Sequence, residues 1–207
     1  MRASDRDRCK SGISSVCVAL ILLSALIFSA SALSAEYTVF DNATGYHAAV
    51  EIQDAESYAF VKPGMLGEKV PDKVTNVSLY YVNGTNASFE DKGRSISFEK
   101  GNYTVYFDSG LEGKNFQALY DSFYNVTLSL PAGYDVRNPL LGMVSNGGEA
   151  DETDGNVTVS WTRKSYVEAR FYDDFQVELL IIFGTFWIAL VVVFLVPYLL
   201  SRRKNEP

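Results

Sequence analysis

A run of 22 residues without one charged side chain, from Leu179 to Leu200, constrains this chain more than any other feature. As a helix rising about 1.5 Å per residue it reaches about 33 Å, enough to cross a hydrocarbon core of about 30 Å. Residues 176–200 are therefore read as a transmembrane helix in contact with membrane lipid, and residues 201–207 as a short tail. Arg202, Arg203 and Lys204 follow the run, whereas Asp173, Asp174 and Glu178 precede it. A cation excess on the C-terminal flank predicts a cytoplasmic C-terminus at the plasma membrane, with the bulk of the chain outside. Pro197 is expected in the last turn, where its missing hydrogen bond costs little. Gly184 has no small partner four positions away, so no G-x-x-x-G dimerisation motif is present.

The chain opens with Arg2, Arg6, Arg8 and Lys10, then an apolar run over 16–28 and the small residues of 29–35. This is the layout of a secretory signal, assigned to residues 1–35 as an N-terminal signal helix. Ala30-Ser31-Ala32 gives a mature start near Leu33, and cleavage after Ala35 or an uncleaved anchor are the alternatives. Both cysteines, Cys9 and Cys17, fall in this leader. The exported part then has neither disulfide nor thiolate chemistry.

Charge separates along the chain. Residues 36–178 carry 22 acidic and 11 basic side chains, a net of −11, and each flank contributes +2 to reach the overall −7. An acidic exterior argues against a nucleic-acid partner and against docking on anionic lipid.

Seven of eleven asparagines begin an N-x-S/T sequon: Asn42, Asn76, Asn83, Asn86, Asn102, Asn125 and Asn156. Ser and Thr are 30 of 207 residues, so eleven asparagines give about two such matches by chance. All seven lie between the two apolar runs, which predicts export into a glycosylating compartment. Four of them open strand-like alternations. In Asn125-Val126-Thr127-Leu128-Ser129-Leu130 the period of two puts Asn125 opposite Val126, Leu128 and Leu130. The segments from Asn156 to Trp161, Asn102 to Phe107 and Asn76 to Tyr81 read the same way, with the sequon on the wet face.

Short apolar runs over 37–40, 48–52 and 58–61 continue the strand pattern. Asn83-Gly84 predicts a type I′ turn into a short strand near Phe89, and Lys100-Gly101 a turn between strands over 94–99 and 102–107. Residues 115–123 read as one or two helical turns with Phe116, Leu119 and Tyr120 on one side. The fold class is mainly β: an antiparallel β-sandwich-like ectodomain over 36–175, between the leader and the C-terminal helix. Twelve of thirteen tyrosines fall in this domain, where rings serve a sandwich core more often than a ligand platform.

Leu130-Pro131-Ala132-Gly133-Tyr134-Asp135-Val136-Arg137-Asn138-Pro139-Leu140-Leu141-Gly142, then Asp154-Gly155, the strand to Trp161 and Phe171-Tyr172, carry a resemblance. Over residues 125–200 the chain resembles an archaeal membrane-anchored family, the domain-of-unknown-function 5803 family. The resemblance implies a membrane protein and brings no activity with it. Some relatives begin with a lipoprotein-type leader, from which the positions of Cys9 and Cys17 depart. Read alone, Pro131, Gly133 and Pro139 shape a loop and Asp154-Gly155 forms a turn.

Candidate chemistry is sparse. His47 is the sole histidine and no G-x-S-x-G elbow accompanies it. The carboxylate pairs Asp173/Asp174 and Glu51/Glu56 lack a fixed separation. Glu149, Asp151, Glu152 and Asp154 form an acidic loop, read as solvated in preference to a Ca²⁺ site because it lacks EF-hand order. No catalytic, cofactor-binding or metal-ligating residue is expected. The sequence reads as a non-enzymatic type I envelope protein, with an accessory or binding subunit of a membrane enzyme, transporter or secretion complex, held by a protein partner in the envelope, as the alternative.

Overall fold

Alternation of polar and apolar side chains is realised as extended chain over almost the whole domain. The computed structural model describes residues 32–64 and 66–204, so the leader up to residue 31, with both cysteines, lies outside the described residues. Among the described residues thirteen strands precede one helix. They are β1 (Leu33–Val39), β2 (Gly45–Ala59), β3 (Val61–Pro63), β4 (Lys69–Pro71), β5 (Val74–Tyr81), β6 (Glu90–Asp91) and β7 (Ser95–Gly110). The second group is β8 (Asn115–Ser129), β9 (Tyr134–Asp135), β10 (Met143–Val144), β11 (Gly148–Thr153), β12 (Asn156–Arg170) and β13 (Tyr172–Asp173). Helix α1 (Asp174–Lys204) follows without a linker.

Nine strands form one sheet in the order β10-β12-β8-β1-β2-β7-β5, with β11 also on β12 and β6 on β7. Pairings are antiparallel except β1 with β8, so the sheet is mixed. The N-terminal strand slots between two antiparallel pairs, β2–β7 and β8–β12, and can match only one neighbour in direction. The sandwich arises because this one sheet folds over. Tyr37 lies opposite Leu128 in β8, yet its ring sits 4.7 Å from that of Phe116. Residues twelve apart in a straight strand would be about 40 Å apart. Likewise Phe107 pairs with Ala48, and its ring lies 6.3 Å from that of Tyr58 at the far end of β2. Each long strand therefore contributes to both layers, turning the corner at a bulge.

The corners are specific. Asp54 in β2 has φ 50° where the register with β7 slips, and Arg163 in β12 has φ 54° where the register with β8 slips. Gly101 lies opposite Ala55 at the same corner. The expected turn at Lys100-Gly101 is thus a bend inside the continuous β7. The runs over 48–52 and 58–59 likewise belong to a single strand, β2. Residues 115–123 are strand where helix was expected. Phe116 and Ala118 are buried at period two and β12 supplies hydrogen-bond partners, so pairing overrides the helical spacing of Phe116, Leu119 and Tyr120.

β1 begins at Leu33 and buries Ala35 fully between Val50 and Val126. Helix α1 runs on to Lys204, which leaves Pro197 two turns inside its end. Asn83-Gly84 is not a type I′ turn, since only Gly84 (φ 81°) has positive φ. Gly84 N–H donates to Tyr81 O at 2.8 Å and Tyr81 N–H to Thr85 O at 2.9 Å, a type I turn closed by a left-handed glycine. Asp154 (φ 54°) and Gly155 (φ 79°) do form a type I′ turn between β11 and β12.

The core is aromatic and aliphatic. Trp161 is 1% exposed, with Nε1 donating to Ser145 O at 3.4 Å. A Cβ on Gly148 would collide with that indole, so the glycine lets β11 close over it.

Candidate functional site

All seven sequon asparagines are exposed. The alternations behave as expected: Val126, Leu128 and Leu130 are buried against exposed Asn125, Val157, Val159 and Trp161 against Asn156, and Tyr103, Val105 and Phe107 against Asn102. In the Asn76 strand the pattern is broken by a bulge, for Asn76 itself has φ 54°.

Five of the seven side-chain amides are held, in three ways. Asn102 Oδ1 accepts from Asp54 N–H at 2.9 Å, and Asn125 Oδ1 accepts from Arg163 N–H at 3.1 Å. Each caps the donor freed by a corner bulge and leaves its Nδ2 directed away from that bond. Asn42 and Asn83 form Asx turns with their own sequon threonines. Their Oδ1 atoms accept from the Thr44 and Thr85 hydroxyls at 2.8 and 2.7 Å. Asn76 differs, since its Nδ2 donates to Asp108 Oδ2 at 2.5 Å.

Asp108 also bonds His47 Nδ1, and the Phe40 ring packs on the imidazole at 4.6 Å. The His47 side chain is 66% exposed, directly across from Thr38 in β1. Among the described residues no hydroxyl bonds this imidazole, so a histidine and a carboxylate meet without a nucleophile. Glu51 accepts from Ser34 N–H at 3.0 Å, and the bulge at Asp54 separates it from Glu56. The expected acidic loop is strand β11. Its alternation sends Glu149 and Asp151 to one face and Glu152 to the other, where Glu152 meets Arg137 at 2.8 Å. Among the described residues no three His, Cys, Asp or Glu side chains group to hold a metal ion. Trp161 is interior and offers no stacking surface.

The densest polar cluster joins domain to helix. Asp173 Oδ1 accepts from Gln176 N–H at 3.1 Å, and Gln176 Oε1 accepts from Asp173 N–H at 3.3 Å, a reciprocal capping box. Lys114 reaches it from the β7–β8 connection, donating to Asp173 Oδ2 at 2.5 Å and Gln176 Oε1 at 3.1 Å. That ammonium holds the Asp173 carboxyl below the ordinary carboxylate range, outweighing partial burial and aided by Gln176 N–H. Lys114 also lies 5.6 Å over the Tyr134 ring, which meets Phe171 edge-on at 5.6 Å. Beneath them β9 pairs with β13, and Tyr172 Oη accepts from Asn138 N–H at 3.0 Å. Burial opposes ionisation of Asp135, but the Arg137 guanidinium and two backbone N–H groups prevail and lower its pKa.

Sequence reasoning treated Asp173 as half of a carboxylate pair and missed Lys114 and Gln176. The pattern Asp-x-x-Gln ahead of an apolar run was the available signal for the cap. Nothing in the sequence pointed to Lys114.

Helix α1 is long and apolar enough over Asp174–Leu199 to cross a membrane, and no residue of its apolar window is buried. The loop from Leu130 to Gly142 and the Phe171-Tyr172 pair, which carried the family resemblance, are the parts that fix this helix to the sheet. No curated protein matches the chain. A family model matches residues 31–204, spanning the β-domain and the helix together, and the chain therefore belongs to the family of unknown function DUF5803.

Proposed function

We propose that this chain is a non-enzymatic, single-pass type I envelope protein that presents an acidic, N-glycosylated β-domain outside the plasma membrane. The observation that carries the reading is that all seven sequon asparagines are exposed on the domain that precedes the apolar helix. Cations after that helix and carboxylates before it support a cytoplasmic C-terminus. The capping box and the β9–β13 pair join domain to helix without a flexible segment, so the domain stands close to the bilayer.

Topology and modification test the reading together. Protease added to intact spheroplasts should degrade the domain and leave an anchored stub. The intact mass from the native host should exceed that of the polypeptide. A protected domain with an exposed C-terminal tag would sink the orientation, and an unmodified mass would sink the glycosylation.

A further inference from the structure

Strand β1 stops short inside the sheet. It pairs with β2 only as far as Ala35 opposite Val50, and with β8 only as far as Leu33 opposite Tyr124. Past that point β2 continues to Ala59, held on its other side by β7, and β8 reaches back to Asn115, held on its other side by β12. Among the described residues no strand pairs with the edges of β2 and β8 that β1 leaves open. Where β1 is present it keeps these two neighbours about 10 Å apart, twice the spacing of adjacent strands.

Beyond Leu33 the space in line with β1 is a cavity of about 280 Å³. Ile52 and Tyr58 of β2 line one side, Leu119 and Tyr120 of β8 line the other, and Leu33 and Val61 stand at its ends. At the Leu33 end the Glu51 carbonyl accepts from the Tyr124 hydroxyl at 2.9 Å. A side chain reaching from β8 thus serves where a longer β1 would bring a backbone N–H.

Two open strand edges select a ligand by its backbone. Their N–H and C=O groups are met in register, on both sides at once, only by a chain in extended conformation. Residues 119–124 of β8 extend roughly 17 Å, the length of about five residues. Tyr58 and Tyr120 are left half-buried beside Ile52 and Leu119, so the inward positions of such a guest, two residues apart, suit aliphatic side chains.

The guest has to be free on both of its own edges. Each of β1 to β13 is already paired on at least one, so the described residues of a second folded copy have no strand to offer. Lys69 of β4 and Asp121 of β8 also line the cavity and pair with each other, but their side chains are 45% and 89% exposed, so parting them costs little. None of the seven sequon asparagines lines the cavity, so no glycan starts from its wall.

We propose that this slot binds a partner protein by strand addition. An extended segment of about five residues, aliphatic at alternate positions, lies parallel to β8 and antiparallel to β2, in line with β1. This binding follows from the sheet alone and does not depend on which side of the membrane the domain faces. The test uses the full chain in phospholipid nanodiscs and three blocked pentapeptides, in which threonine alternates with valine, leucine or alanine. Amide hydrogen exchange, read by mass spectrometry, should slow about tenfold in residues 53–59 and in residues 119–123 when a peptide binds. The same peptide N-methylated at every internal amide lacks the donors and should slow neither edge. Ala59→Trp and Ser122→Trp put a ring into the slot from an exposed position on either edge, and each should remove the protection. Exchange in β12 as slow as in wild type reports an intact fold, and if one variant does not fold the other carries the comparison. Both edges protected in the purified chain without peptide would show the slot already filled by the chain itself or by a second copy, and overturn the proposal. Protection of one edge alone, equal protection by the N-methylated peptide or in the folded tryptophan variants, or none from any of the three peptides at millimolar concentration also overturns it.

Discussion

The hydroxyls of Tyr37 and Tyr120 are hydrogen-bonded at 2.8 Å, although Tyr37 pairs in the sheet with Leu128, eight residues further along β8. That bond ties the two layers of a single folded sheet. It sits among Tyr46, Phe116 and Tyr124, whose rings close the corner of the sandwich.

Alkaline titration should expose this cluster. Burial first, then the Asp72 charge, pushes Tyr46 from 10.0 up to about 12, and burial does the same for Tyr124. Tyr37 and Tyr120 are raised well above 10.0 for the same leading reason. Groups raised in the folded state contribute stability that is full below pH 10 and lost as pH climbs to 12 and beyond. Phenolate absorbance of this cluster should therefore rise in a steep step well above pH 10 that coincides with loss of near-ultraviolet circular dichroism. Ionisation of Tyr37, Tyr46, Tyr120 and Tyr124 at pH 10 in a protein that stays folded would contradict the buried cluster.

Trp161→Ala should destabilise the domain by about 3–5 kcal/mol, because it empties the space between β11, β12 and the Ser145 loop. Chemical denaturation of wild type and variant with matched glycans measures this. A loss below about 1 kcal/mol, the range of surface changes, would place the indole outside the core.

Asn125 separates structure from modification. Asn125→Asp keeps an oxygen for Arg163 N–H and removes the nitrogen that accepts a glycan, whereas Asn125→Ala removes both. Each variant should lose the same mass in the native host. When both are made without glycosylation, the alanine variant should be less stable by about 1 kcal/mol and the aspartate variant near wild type. Equal stability of the two would mean that the amide does not cap the β12 corner.

Lys114 should control the angle between domain and helix. Its ammonium lowers the Asp173 pKa, so the pair's contribution is present above the ordinary value of 3.8 and lost as pH falls through the lower folded value. Pulsed dipolar distances between spin labels on β12 and α1 should be narrow at pH 7 and broaden on acidification below 3.8. Lys114→Met should broaden them already at pH 7, while Asp173→Ala should also cost about 1 kcal/mol through the lost cap. Narrow distances in Lys114→Met would show that β9–β13 pairing alone sets the angle.

Gly142→Ala should destabilise the Leu130–Gly142 loop by about 1–3 kcal/mol, because its Cβ would meet the Val136 carbonyl, which is backbone and cannot rotate aside. Proteolysis within the loop should accelerate relative to wild type. An unchanged rate would mean that the loop has room to shift.

What the sequence determined by itself was local. Twenty-two uncharged residues suffice for a spanning helix, and alternation at Asn102, Asn125 and Asn156 sets wet faces against Tyr103, Val126 and Val157, because pleating alone puts neighbours on opposite sides. Tertiary structure decided where strands stop and what meets. Asp54 and Arg163 carry no mark of a bulge, since a left-handed non-glycine corner holds only when an asparagine on the neighbouring strand takes up the freed N–H. Residues 115–123 fit both periodicities, and only the edge offered by β12 resolved them as strand. Lys114 and Asp173 stand 59 residues apart. Periodicity is a property of neighbours along the chain, whereas such contacts exist only once the folded sheet brings distant segments within a few ångströms.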